Sequence, residues 1–178
     1  MSNTSGNLFE AISFAARAHE GQKRKDKRTP YVSHVFRVAM TLSQVFGVRD
    51  SDILTAAVLH DTLEDTTTDF DDLAELFSPR IANWVALLSK DSRLEKDERE
   101  KVYARQLGSA PSEVKLIKLA DMHDNLQDYK SSGSKKPKKF AAKMQVYFDV
   151  LCKDKNPLLK SPLRIVESRI EDLRKSKA

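Results

Sequence analysis

The chain has 178 residues, 40% hydrophobic and 32% charged, which is enough for one domain with a sizeable core and too apolar for disorder. Its formal charge is +5, and its single cysteine, Cys152, rules out an internal disulfide and argues against a zinc–thiolate cluster. No apolar stretch approaches the roughly 20 residues of a membrane span, and the polar start 1–6 does not resemble a signal peptide, so a cytoplasmic setting is expected.

Apolar residues recur at helical spacing almost throughout, and no period-two run of any length appears. Leu8, Ile12, Ala15 and His19 form one face of a first helix, which Gly21 stops. A basic loop, Lys23-Arg24-Lys25-Asp26-Lys27-Arg28, runs on to Pro30. A second helix is predicted over 31–46, with Val35, Val38, Ala39, Leu42 and Val45 on its apolar face and Gly47 at its end. A third starts near Ser51 or Asp52 and runs to about Leu63. Residues 66–69 cap a short helix that ends near Phe77. Ser78-Pro79 opens the next, an N-cap followed by proline at the first helical position; it carries Ile81, Trp84, Val85 and Leu88.

Residues 92–107 are highly charged and predict a mobile helix, broken over 108–111. Another is predicted over 112–129, with Val114, Ile117, Leu119 and Ala120 making apolar contacts. A polar, basic loop over 131–137 precedes an amphipathic helix over 140–152 that carries Met144, Tyr147, Phe148 and Leu151. A terminal helix over 162–176 carries Leu163, Val166, Ile170 and Leu173. The expected architecture is a single all-α domain over 1–178, a bundle of about eight helices.

The excess positive charge has two readings, a solvated lysine-rich surface or attraction to a phosphorylated partner. It concentrates in 23–28 and in Lys135-Lys136-Pro137-Lys138-Lys139. Neither cluster interleaves aromatics as a single-strand binding surface does, so no nucleic-acid partner is expected.

The chemistry gathers in Leu59-His60-Asp61-Thr62-Leu63-Glu64-Asp65-Thr66, an imidazole and three carboxylates directly after an apolar run. If the run stays helical, His60 shares a face with Glu64 and Asp61 with Asp65. Ionisable groups so crowded repel or desolvate one another unless a cation holds them. His34, near a helix start, and Asp121, after the apolar stretch Leu119-Ala120, are the further candidate ligands. Alone, His34 reads more readily as a structural histidine, and Asp121 equally as a buried salt bridge. Together, two imidazoles and two carboxylates suit a borderline-to-hard divalent ion such as Mn²⁺ or Fe²⁺, with Zn²⁺ also compatible. Such an ion with open positions lowers the pKa of a water it holds, and Glu64 and Asp65 stand one turn on to orient that water or carry protons.

The order His34, His60-Asp61, Asp121 resembles the HD-domain metal phosphohydrolases. The resemblance is nearest to the hydrolase domain of RelA/SpoT proteins and its stand-alone form, the small alarmone hydrolases of the metazoan SpoT homologue type. The motifs are Ala18-His19-Glu20-Gly21-Gln22-Lys23-Arg24-Lys25, Pro30-Tyr31-Val32-Ser33-His34, the His60-Asp61 segment with Glu64-Asp65-Thr66, and Lys115-Leu116-Ile117-Lys118-Leu119-Ala120-Asp121 with Asn125-Leu126, spanning roughly 8–150. The resemblance implies Mn²⁺-dependent hydrolysis of the 3′-pyrophosphate of guanosine tetra- or pentaphosphate to GDP or GTP and pyrophosphate.

It further implies that His34, His60, Asp61 and Asp121 bind the metal and that Glu64 and Asp65 activate or position the water. Arg24 and Lys25 match the pair that contacts the purine, and Asn125 the position facing ribose and phosphate. Lys143 and Tyr147 fall on a helix that closes over the nucleotide, and Lys96 reaches the 5′ phosphates. Judged by pattern alone, Tyr147 fits a core position equally well, and Lys143 and Lys96 fit solvated charges. His19 reads as structural, and His123 as a surface or outer-sphere residue.

The chain departs from its resemblance in places. Lys27-Arg28-Thr29 replaces the usual Gly-Glu before Pro30-Tyr31, and Val35 follows His34 where proline is usual. After Asp121 come Met122, His123 and Asp124, where relatives carry a basic residue next and an aromatic or histidine before Asn125; Gln127 stands where arginine is common. These changes bear on substrate, and an adenosine 3′-pyrophosphate or NADPH is the alternative to the guanosine compound. A general HD nucleotidase conflicts with the basic loop and Glu64-Asp65. A non-catalytic nucleotide sensor conflicts with the presence of all six metal and acid–base residues.

Overall fold

The computed structural model describes residues 4–131 and 136–176. The chain runs α1 (Thr4–Ala18), α2 (Val32–Met40) continued by a π turn (Thr41–Val45), α3 (Ser51–Leu59), α4 (Thr62–Asp65), α5 (Phe70–Leu76), α6 (Pro79–Leu88), α7 (Lys96–Ser109), α8 (Ser112–Ser131), α9 (Pro137–Leu151) and α10 (Pro157–Lys175). The all-α expectation holds: the described residues contain no strand, only an isolated bridge between Lys23 and Pro30. The described residues hold ten α-helices against the expected eight or so; the expected short helix is α5, and α4 is a separate turn where α3 was expected to continue.

The helix ends obey local chemistry. Gly21 and Gly47 both take φ of +76°, the left-handed conformation that closes α1 and the π turn. Asp50 caps α3 by accepting from the backbone N–H groups of Asp52 and Ile53. Asp69 and Asp72 form a reciprocal capping box on α5, and Ser78 accepts from the Ile81 N–H ahead of Pro79 on α6.

Several boundaries differ from expectation, among them the start of α7 at Lys96 rather than Ser92. The third helix stops at Leu59 rather than Leu63, and the chain turns at His60-Asp61 before the single turn α4. Gly108 lies inside α7, and the break waits until Ala110 and Pro111. The ninth helix opens at Pro137, three residues early. The last opens at Pro157, where Asn156 caps it, and Pro162 lies within the helix. Of the predicted basic loop 131–137, residues 132–135 lie outside the described residues, as do 1–3 of the polar start.

One apolar core runs through the molecule, with Leu42, Leu59, Leu73, Ile81, Leu107, Ile117, Leu119, Leu151, Leu159 and Ile170 fully enclosed. Each such side chain contributes roughly 1.5–3 kcal/mol of transfer free energy. Helix α8 is central: it packs on α2, α3, α6, α9 and α10, and so buries residues on every side. Its polar Lys118, Asp121, His123 and Asp124 are enclosed along with its apolar positions. Enclosed polar groups need partners: α2 and the turn after α3 bring them to Asp121 and Asp124, and Lys118 pairs with Asp121. No helix is long and apolar enough to cross a membrane.

Candidate metal centre and nucleotide pocket

His34 on the first turn of α2, His60 at the end of α3 and Asp121 on α8 converge, each offering an atom within 4.8 Å of the others. His34 Nε2 lies 3.2 Å from Asp121 Oδ1 and 3.5 Å from Asp61 Oδ2. His60 Nε2 lies 3.1 Å from Asp61 Oδ2 and 3.9 Å from Asp121 Oδ1. The break in the chain at His60-Asp61 is what lets two consecutive side chains reach one point, since neighbours on a continuous helix diverge by about 100°.

The tautomers follow from the partners. His60 Nδ1 lies 2.8 Å from the Ala57 carbonyl, which only accepts, so Nδ1 carries the proton. His60 Nε2 is buried and makes no hydrogen bond. His34 Nδ1 donates to Asp124 at 2.6 Å, which leaves its Nε2 facing the same centre. Two bare nitrogens thus face two carboxylates in a nearly dry site, a donor set that a divalent cation fits. Without one, protons fill the need. Burial favours neutral imidazoles, yet hydrogen bonds donated to Asp121 and Asp124, with the charges of Asp121 and Asp61, raise His34 to about 9. His60 also moves up, against its burial, because of Asp61 and Asp121. Burial opposes ionisation of Asp121, but Lys118 and the imidazoles hold its pKa well down.

Glu64 and Asp65 take different partners, and Asp65 shares Tyr31 with Asp61. Glu64 turns to α6's end, accepting from the Lys90 backbone N–H at 3.0 Å with the Lys90 ammonium 3.7 Å away. Asp65 stays near the ligands through Tyr31, whose hydroxyl lies 2.7 Å from Asp61 Oδ2 and 3.0 Å from Asp65 Oδ2. The sequence reading gave Tyr31 no role, and its link to both acids is visible only in space.

Arg24 and Asn125 meet in the structure. Arg24 donates to Asn125 Oδ1 at 3.1 Å and to Asp128 at 2.7 and 3.0 Å, with its guanidinium 5.5 Å from the Tyr31 ring. Asn125 in turn donates to Asp121 Oδ1, joining the basic loop to the metal cluster. Lys25 is exposed and lies over Phe140, which stacks on Tyr129 at 4.3 Å. Lys143 and Tyr147 both engage Glu100: Lys143 Nζ at 3.0 Å, and the Tyr147 hydroxyl as a donor. Tyr147 is 2% exposed and its ring meets Tyr103 edge-on, so it belongs to the core and to this polar contact at once. Lys96 is exposed at the first position of α7 and makes no hydrogen bond or ion pair there.

His19 is buried, bonded to Gln22 and set against the Tyr31 ring, as expected of a structural residue. His123 corrects its surface reading: it is buried, with Nδ1 unpaired and its ring edge-on to Phe46. Asp124, Arg37, Lys118, Lys90 and Glu100 went unassigned in the sequence. Each is charged, and all but Lys118, which pairs with Asp121 one turn on, are held by partners far along the chain and therefore carry no local signature.

The HD-domain family matches residues 11–154, which contain every residue of this cluster, and the chain belongs to that family. MESH1 of Drosophila melanogaster, a guanosine-3′,5′-bis(diphosphate) 3′-pyrophosphohydrolase, is 41% identical over 125 residues, 70% of each chain. The Homo sapiens protein of that name is 40% identical over 129 residues, 72% of each chain. A solved structure of a metazoan orthologue of SpoT that hydrolyses ppGpp superimposes with a TM-score of 0.82 at 31% identity, covering 95% of this chain and 98% of the other. Within the HD-domain family, the chain belongs to this MESH1 branch.

Proposed function

We propose that the chain hydrolyses the 3′-pyrophosphate of guanosine tetra- or pentaphosphate, releasing pyrophosphate and leaving GDP or GTP. The observation that carries this reading is Asn125, which bonds at once to Asp121 in the metal cluster and to Arg24 in the basic loop. One hydrogen-bonded unit thereby spans the distance from a cation site to a cationic loop, as a substrate with a base at one end and a diphosphate at the other requires. Kinship with the MESH1 branch supports the same substrate.

In this reading His34, His60, Asp61 and Asp121 hold Mn²⁺, with Fe²⁺ or Zn²⁺ as alternatives. When bound, the ion supplies Lewis acidity towards the 3′-diphosphate and the attacking water. Asp65, held by Tyr31 beside Asp61, takes the proton of that water as it attacks the phosphorus attached to the 3′ oxygen. Glu64, held by Lys90, orients the water. The bond from that phosphorus to the ribose 3′ oxygen breaks, and the oxygen leaves as a hydroxyl once protonated. Arg24 and Lys25 receive the purine, Asn125 the ribose, and Lys143, Tyr147 and Lys96 the phosphates.

The test is a substrate panel with and without Mn²⁺: guanosine and adenosine 3′-pyrophosphates, NADPH and simple nucleotides, with pyrophosphate and orthophosphate measured separately. Metal-dependent pyrophosphate release from guanosine tetraphosphate is expected. Orthophosphate from simple nucleotides, with guanosine tetraphosphate untouched, would overturn the reading. Preference for the adenosine compound or NADPH would reassign the substrate to the alternatives.

A further inference from the structure

His34 is met from behind by a carboxylate lying outside the metal cluster. Its Nδ1 donates to Asp124 Oδ2 at 2.6 Å, on an imidazole 1% exposed. Arg37 grips that carboxylate with both prongs: Nε donates to Oδ1 at 2.6 Å and Nη2 to Oδ2 at 2.9 Å. Such two-pronged pairing fixes a carboxylate in orientation as well as in place. Arg37 stands one turn beyond His34 on α2, and Asp124 one turn beyond Asp121 on α8. The pair therefore ties together the two helices that deliver ligands.

We infer that Asp124, clamped by Arg37, is a positioning residue for the cation site, holding His34 with its Nε2 bare and aimed at Asp121 and His60. The inference rests on the metal reading above. An ionised carboxylate only accepts, so it admits one tautomer of the imidazole, and its negative charge strengthens the opposite nitrogen as a donor to metal. The Arg37 clamp occupies both Asp124 oxygens, which keeps Asp124 from swinging round to meet a cation itself. A purely structural tie between α2 and α8 would support the fold without touching metal affinity, and this separates the two roles.

The test measures Mn²⁺ binding to the full chain by titration calorimetry and by the electron-spin signal of free Mn²⁺, alongside thermal melting of the metal-free protein. Asp124→Asn is expected to weaken Mn²⁺ binding about 10–100-fold, as loss of an outer-sphere partner does. Arg37→Gln should weaken it less, and the double variant should bind no more weakly than Asp124→Asn alone. A folded Asp124→Asn protein with wild-type affinity would overturn the inference, as would additive losses in the double variant. If Asp124→Asn does not fold, Arg37→Gln decides: weakened binding supports the clamp, and unchanged binding overturns it. Wild-type protein that binds no Mn²⁺, no better than a His34→Ala control, would instead remove the metal reading itself and this inference with it.

Discussion

Lys118 Nζ stands 2.6 Å from Asp121 Oδ2, with the two side chains only 11% and 8% exposed. The ammonium also lies 5.2 Å from the Tyr103 and Tyr147 ring centres. Burial alone would strip its proton, but Asp121 and the two tyrosines hold its pKa well above the ordinary lysine value. Asp121 thus spends Oδ2 on Lys118 and turns Oδ1 to the imidazoles. Removing one partner of a buried pair strands the other, at a cost of about 3–5 kcal/mol. Lys118→Met should lose stability of that order in urea unfolding with chelator present, and a loss below about 1 kcal/mol would show that Asp121 does not depend on the lysine.

His60→Ala and Asp61→Ala should each abolish the response of folding to Mn²⁺. A ligand that binds only the folded state stabilises it by about 2.7 kcal/mol at a hundredfold excess over its dissociation constant. Wild-type protein should therefore melt higher as Mn²⁺ is added, while the variants stay flat. An unchanged rise in either variant would remove that residue from the ligand set.

Glu64→Gln and Asp65→Asn should separate chemistry from binding. Glu64 accepts from the Lys90 backbone and Asp65 from the Tyr31 hydroxyl, so Mn²⁺ affinity should persist. Turnover should fall about 10²–10⁴-fold, the range for loss of a positioned acid or base. Single-turnover release of pyrophosphate gives the readout, and near-normal rates in both variants would mean that neither acid handles the water or its proton.

Glu100 should compete with substrate phosphate for Lys143 and Tyr147. Glu100→Gln removes the negative charge while keeping the shape, so KM for the nucleotide should fall with kcat little changed. A rise in KM would show instead that Glu100 is needed to hold those side chains in place.

His123 should leave a mark on acid stability. Burial first, and the Arg169 charge second, lower its pKa to about 4 from an ordinary 6.5, against the pull of Asp124. Between those values the unfolded chain carries a proton that the folded chain refuses, so stability falls as pH drops from 6.5 to 4. At about 1.4 kcal/mol per unit this contributes about 3 kcal/mol at the end of the window. His123→Leu should remove that part of the slope in metal-free protein, and superimposable curves for the two proteins between pH 7 and 4.5 would show that His123 does not cause it.

Much of the site is legible in the sequence because its ligands sit in short motifs on helices whose apolar periodicity is plain. His34, His60 and Asp121 come together as expected, and Arg24 meets Asn125. The break after Leu59 was hidden because Leu63 continues the apolar spacing of α3, so periodicity carried the helix through the turn. The early start of α10 was hidden by a second proline: Pro162 resembles an opening, yet Asn156-Pro157 is the working cap. Asp124 and Arg37 were illegible for a different reason. Polar residues on a helix normally mark its wet face, and only the packing of α8 between other helices turns Asp124 inward, where Arg37 of α2 reaches it. Their pairing crosses from α2 to α8, and no local pattern encodes a partner that far along the chain.

The ligands come from α2, from the turn after α3 and from α8, segments that meet only once the bundle has closed. An ion held among them is a cross-link, in a chain whose lone cysteine can form no internal one. Chelation of such an ion would remove that tie, loosening the docking of three helices in the same act that stops the chemistry.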